Sequence, residues 1–327
     1  MRGVYIFDEQ KIKVYNPDGT ARAIMGGPGQ GPGEFDSMFM GIGVPVNVSP
    51  AGYTAAQRSL GSKATFNVYK PDHKFLETFP NKYETLGMFK GSNLKIAVLS
   101  DTSYVGIEAE GRDDGEYIHT VETLAYYRGE EKTTIATYDK IIGLSPEIYR
   151  TSVNHVGDLT WDMASPEVVV YSHSRNDVIQ NENGFFYTIH TFNLSTGERA
   201  EIQHPVLTEP IPVVTPDPVM SRIPRHAINK MNELYQEQFK FREPFGKIRS
   251  DGAMLYVHLK HSADEIYTRF DVFDIEKRRF LRTVDILTQE TGYIESIKKG
   301  NIYTIGSNTE GFRVVKVYSL PPEVYAR

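Results

Sequence analysis

Apolar and polar residues alternate along short runs that keep returning. In KIKVY, Lys11 to Tyr15, Ile12 and Val14 fall on one side and the lysines on the other. Such a period of two predicts a strand with one buried face. Val4 to Asp8 precedes it as another strand, and Thr20 to Met25 follows as the return strand. Between them Asn16-Pro17-Asp18-Gly19 is a turn, because Pro presets φ and Gly accepts the positive φ that closes a hairpin. The Gly and Pro run from Gly26 to Gly33 cannot extend a sheet, so it carries the chain to the next unit.

This hairpin recurs. TFNVYKPDHKFLETF begins at Thr65, TIHTFNLSTGERAEI at Thr188 and RFDVFDIEKRRFLRTV at Arg269, with weaker copies TLAYYRGEEKTTIAT from Thr123 and RVVKVYSLPP from Arg313. Tyr15, Tyr69, Tyr127, Phe192, Phe273 and Tyr318 mark the same point in each. Upstream of five of them lies a second repeated strand pair, beginning near Ile42, Lys95, Leu159, Gly246 and Tyr293. Self-similarity of this length is the signature of stacked repeats. Four antiparallel strands per unit and six units predict an all-β fold, a six-bladed β-propeller forming one domain over residues 1–327.

The marker interval from Phe192 to Phe273 is the longest, so it holds an insertion, placed at 207–245. Its first part is too rich in Pro for sheet or helix and reads as extended chain. Arg225 to Phe241 reads as a helix, with Ile228, Met231, Tyr235 and Phe239 on one face that packs on the propeller. The first unit has no inner strand and the last no clear outer strand. The expectation is that the chain once continued upstream of Met1, with Pro322 to Arg327 folding back as the alternative.

Composition narrows the picture. Twenty Tyr and 17 Phe in 327 residues favour strands over helices. A net charge of -6 argues against a nucleic-acid backbone as partner. With no Cys there is no disulfide, thiol nucleophile or thiolate metal site. No stretch is hydrophobic enough to span a membrane, and a monomer is expected.

The opening unit, with Asp8, Tyr15, Asp18-Gly19 and Gln30-Gly31-Pro32-Gly33-Glu34-Phe35 in that order, resembles the NHL-type and TolB-like six-bladed propellers of bacteria. The match covers about a tenth of the chain; elsewhere only the strand rhythm agrees. The resemblance implies a binding or scaffolding propeller, and a cell-envelope or periplasmic location behind an upstream export signal. If Met1 is the true start, the location is cytoplasmic.

In such a propeller, the loops between second and third strands gather on the face that also carries the blade-to-blade crossings. Here that face collects EGRDDGEY from Glu110, HSRNDVIQNENG from His173, KHSADE from Lys260, the glycine loop and the insertion. Ligand sites favour converging polar loops. The candidate ligand-binding residues are Arg58, Trp161, His173, Arg175, Asn176, Arg249 and His261. Trp161, the one Trp, lines the channel mouth or belongs to the core; Arg58 and Arg175 are placed to receive a carboxylate or phosphate or are solvated. No catalytic residue is assigned: there is no GxSxG elbow, no HExxH, no P-loop Lys, and Asp113-Asp114 with Glu116 lacks EF-hand spacing.

Two functions follow. One is a non-catalytic propeller binding a peptide, glycan or partner protein through the loop-rich face, with no cofactor. The alternative is a metal-dependent lactonase or lyase holding a divalent ion such as calcium on the axis, with Asp158, Asp162 and Glu295 as the nearest ligand equivalents.

Overall fold

The computed structural model describes residues 3–36, 46–58, 65–80, 95–148, 151–152, 156–206, 212–213, 224–237, 240–260, 267–287, 293–307, 309–310 and 313–321. The fold is all-β, with six antiparallel sheets as the blades of a six-bladed propeller and a single helix among the described residues. The chain divides into two compact units, residues 1–142 and 143–327, with three blades based in each.

In the first unit, the first blade is β1 (Val4–Asp8), β2 (Lys11–Tyr15) and β3 (Ala21–Met25), three strands with no inner partner among the described residues. The second is β4 (Val46–Val48), β5 (Thr54–Gln57), β6 (Thr65–Tyr69) and β7 (Phe75–Pro80). The third is β8 (Ile96–Ser100), β9 (Ser103–Asp113), β10 (Tyr117–Arg128) and β11 (Glu131–Leu144). Alternation seats the core between blades. Ile12, Val14 and Met25 of the first blade meet Ala56 and Tyr69 of the second, and Phe66 and Val68 of the second meet Ile96 and Val98 of the third.

The third blade departs from the sequence reading. EGRDDGEY is not a loop. β9 and β10 stay paired from Ser103–Arg128 out to Asp113–Ile118, and only Asp114 to Glu116 turn. At the tip His119 touches Asp114 and Asp139 at 2.9 and 3.0 Å, and Arg112 donates to Asp139 at 2.8 Å. β11 runs on into the second unit, where Gly143 and Leu144 pair with β12 (Thr151–Ser152).

In the second unit, the fourth blade is β13 (Leu159–Met163), β14 (Val168–His173), β16 (Gly184–Asn193) and β17 (Arg199–Pro205), with β15 (Val178–Asn181) paired to the near end of β16. HSRNDVIQNENG is therefore a short loop followed by a projecting hairpin. The fifth blade is β18 (Phe245–Asp251), β19 (Met254–Leu259), β20 (Tyr267–Asp274) and β21 (Arg279–Leu287). The sixth is β22 (Tyr293–Lys298), β23 (Asn301–Ser307) and β24 (Arg313–Ser319). Leu255, Val257 and Phe273 of the fifth blade pack on Val170, Tyr187 and Ile189 of the fourth. Its other face, with Tyr256, Phe270 and Val272, packs on Ile294, Ile297 and Ile302 of the sixth.

The helix α1 spans Arg225–Glu237 and buries Ile228, Met231 and Tyr235 as expected, with Ala227 and Leu234 besides. It stops short of the expected end, since Phe241 instead bridges Pro212 as extended chain. Phe239 and most of the Pro-rich stretch lie outside the described residues. No helix among the described residues is long and apolar enough to cross a membrane.

Candidate functional site

The innermost strand of a blade has one side with no strand beside it, and its main-chain groups need partners from elsewhere. In the second unit these come from side chains of the adjacent inner strand. Thr160 on β13 accepts the Ile248 N–H of β18 at 3.0 Å. Two residues on, Asp162 Oδ2 accepts the Ser250 N–H at 2.8 Å and its hydroxyl at 3.0 Å. Arg249 on β18 reaches β22, donating to the carbonyls of Ile294 at 2.8 Å and Glu295 at 3.2 Å. Lys298 returns from β22 to the Ser250 carbonyl. Arg249 and Asp162, singled out in the sequence as ligand groups, thus join blades. Trp161, next to Asp162 on β13, is 1% exposed and lies in the core.

The rim of the fourth and fifth blades is organised by a residue the sequence did not single out. Glu243 is 4% exposed, yet it carries a carboxylate in the segment leading into β18. Its Oε1 accepts the Gly157 N–H at 3.1 Å, and its Oε2 meets Lys260 Nζ at 3.0 Å. Burial by itself would raise its pKa. The Lys260 charge, the hydrogen bonds and the nearby Arg175 outweigh that and hold it at about 2. Arg175 donates to the Phe241 carbonyl at 2.7 Å, and burial lowers its own pKa against the pull of Glu243. Gly157 is required here. Its φ is +79°, and a Cβ would stand 2.7 Å from Arg175 Cβ and 2.8 Å from His173 Cε1.

His173, fully buried at the end of β14, accepts the N–H groups of Arg175 and Asn176 on Nδ1 at 3.2 and 3.1 Å. It therefore shapes the loop from within. Asn176 is exposed at the crest of that loop, just before the β15–β16 hairpin. His261 lies outside the described residues.

Arg58 belongs to the first unit. Its guanidinium donates to the Gln30 carbonyl, clamping the glycine loop onto the second blade together with Tyr69 to the Gly33 carbonyl at 2.6 Å and Asn67 to that of Glu34 at 2.8 Å. The glycine loop is thereby a structural strap. As to the metal alternative, among the described residues no three His, Asp or Glu side chains converge as ligands. Asp162 is committed as described, and Glu295 is exposed.

The structure thus brings together His173, Arg175 and Asn176 on one loop, next to Glu243 and Lys260, while Arg249 and Trp161 belong to the inner strands. A periodic pattern could not have found Glu243, because Phe241-Arg242-Glu243-Pro244-Phe245 has no strand or helix period.

No family model and no curated protein sequence matches the chain. Among solved structures it is similar to an uncharacterized protein from Listeria monocytogenes EGD-e, with 11% identity and a TM-score of 0.32 over 84% of this chain and 63% of that one. It is similar to the Pyrococcus horikoshii acylaminoacyl peptidase, with 14% identity and a TM-score of 0.40 over 94% of this chain and 40% of that one. For the β-propeller domain of the Trilobed protease from Pyrococcus furiosus the figures are 11%, 0.38, 94% and 74%. The chain spans less than two thirds of the first two.

Proposed function

We propose that the chain is a non-catalytic binding propeller that recognises a peptide, glycan or partner protein through the rim of the fourth and fifth blades. The observation that carries this reading is the junction at Glu243. It ties Gly157 and Lys260 to one buried carboxylate beside Arg175, so the loop bearing Asn176 and the hairpin above it stand on a rigid base. A pre-organised base lowers the entropy lost on binding. The charged side chains at this base are spent on main-chain groups and on one another. Asn176, Gln180 and Glu182 are exposed on the loop and hairpin above that base, where a ligand would meet them.

The test is to pan a random-peptide library and a glycan array on the full chain. An enriched ligand should bind saturably, come off unaltered, and lose at least about tenfold in affinity in the triple variant Asn176→Ala, Gln180→Ala, Glu182→Ala. Equal binding to that variant refutes the site. Turnover of the ligand refutes the non-catalytic reading, and stabilisation by added calcium would favour the metal alternative.

A further inference from the structure

A polar relay runs from solvent into the loop that carries Arg175 and Asn176. His190 on β16 lies directly across from Tyr171 of β14 and Glu201 of β17. Its ring stacks on Tyr171, with centroids 5.0 Å apart at 17°. Its Nε2 is 3.2 Å from Asp177 Oδ1, and its Nδ1 is 3.3 Å from Glu201 Oε1. Arg199 faces the same group through the Tyr171 hydroxyl, to which it donates at 3.3 Å.

Asp177 closes the loop. Its Oδ2 accepts the His173 N–H at 2.6 Å, its own N–H donates to the His173 carbonyl at 3.1 Å, and its carbonyl accepts the Thr188 N–H at 2.9 Å. The carboxylate that seats the loop is thus the one that meets His190.

We propose that the proton on His190 is a lock on the rim loop 173–177, holding it when the ring is charged and loosening it when the ring is neutral. The geometry supplies the reason. An imidazolium carries a positive charge shared by both nitrogens, and a neutral imidazole carries none. With a carboxylate within ion-pair distance of each nitrogen, the charged ring is drawn to both Asp177 and Glu201 although its Nε2 makes no aligned hydrogen bond. The neutral ring loses that attraction. Burial of the ring opposes the charge, but Asp177 and then Glu201 outweigh it, and the His190 pKa is raised above 6.5. The sign follows: a His raised in the folded state stabilises fully below its unfolded value, and that stabilisation is lost as pH rises through the folded value.

This inference adds a regulation to the binding reading, and its readout needs no ligand. Hydrogen exchange of the 172–178 segment, corrected for intrinsic rates, is measured on the full chain from about pH 5 to about pH 8, with the His190 ring followed by NMR. Protection is expected to fall roughly threefold through the ring titration, and His190→Gln should flatten the profile. Glu201→Gln alters a carboxylate that is 69% exposed, so the fold is kept even if His190→Gln does not fold. It should move the ring titration and the loop transition down together. Protection that stays constant across the titration, the same fall in His190→Gln, or a loop transition that ignores the Glu201→Gln shift overturns the lock. A flat profile would leave the binding reading intact, and absence of a ligand would leave the lock intact.

Discussion

Replacing Glu243 by Gln removes the charge at the rim junction while keeping its shape. The magnitude follows from its environment. The carboxylate is 4% exposed and its pKa is held at about 2, against an ordinary value of 4.5. A depression of that size corresponds to about 3 kcal/mol of stability at neutral pH, at about 1.4 kcal/mol per unit. The sign is that of a depressed carboxylate. The contribution is complete above the unfolded value and is lost as pH falls toward the folded one. At pH 3 the linkage leaves about 1 kcal/mol, so roughly 2 kcal/mol of the difference between wild type and variant should vanish on acidification.

Trp161 is the single Trp, buried in β13 of the same unit, so its fluorescence reports this unit directly. Urea unfolding of wild type and Glu243→Gln at neutral pH and near pH 3 gives the two differences. Lys260 is 42% exposed and can take up water once its partner is neutral, so the loss should not exceed the linkage figure by much. Equal midpoints at neutral pH, or a gap that persists unchanged near pH 3, would refute the assignment of Glu243 as the charged junction.

Three further outcomes are expected. Gly26→Ala should destabilise the first unit by more than about 2 kcal/mol, because φ is +72° and a Cβ would lie 2.4 Å from Phe35 and 2.8 Å from the Tyr69 hydroxyl; Gly27→Ala, with nothing within 4 Å, should be nearly neutral by thermal melting. Tyr187→Phe removes the 2.7 Å hydrogen bond to Asp271, a fully buried carboxylate that keeps Thr283 at 2.6 Å as donor, and should cost about 2 kcal/mol in urea. His73 holds φ of +68° in a turn where the first blade has Gly19, and its ring meets the Tyr5 hydroxyl at 3.3 Å; His73→Gly should fall within about 0.5 kcal/mol of wild type, while His73→Val should cost about 2 kcal/mol in the same assay.

The blades were legible because a half-buried strand writes its burial into a period of two. Tyr15, Tyr69, Tyr127, Phe192, Phe273 and Tyr318 all fall at the ends of β2, β6, β10, β16, β20 and β24, the equivalent strand of each blade. At three of them, Tyr15, Tyr69 and Phe273, the ladder slips by a residue as the chain enters the hairpin turn. The outer end of β9 carried no such period: Glu110, Arg112 and Asp113 are exposed on it, so they read as a loop. The outer end of β10 does alternate, but it buries Thr120 and Glu122 beside Ile118, so its buried face is not written in apolar residues.

The site was harder for a related reason. Sequence places a polar residue on an inner strand but not the direction it faces, and Asp162 and Arg249 face a neighbouring strand's main chain. A propeller must satisfy the open sides of its inner strands, and short polar side chains do this at little cost in packing. Charged residues in such strands are therefore first of all joints between blades. The same reasoning applies at Glu243 and Asp177, where a carboxylate seats main-chain N–H groups at the base of the rim. If these groups are joints, replacing one should move stability and loop order before it moves affinity. Replacing an exposed tip such as Asn176 should do the reverse, and measuring both properties on both kinds of variant separates the base from the contact surface.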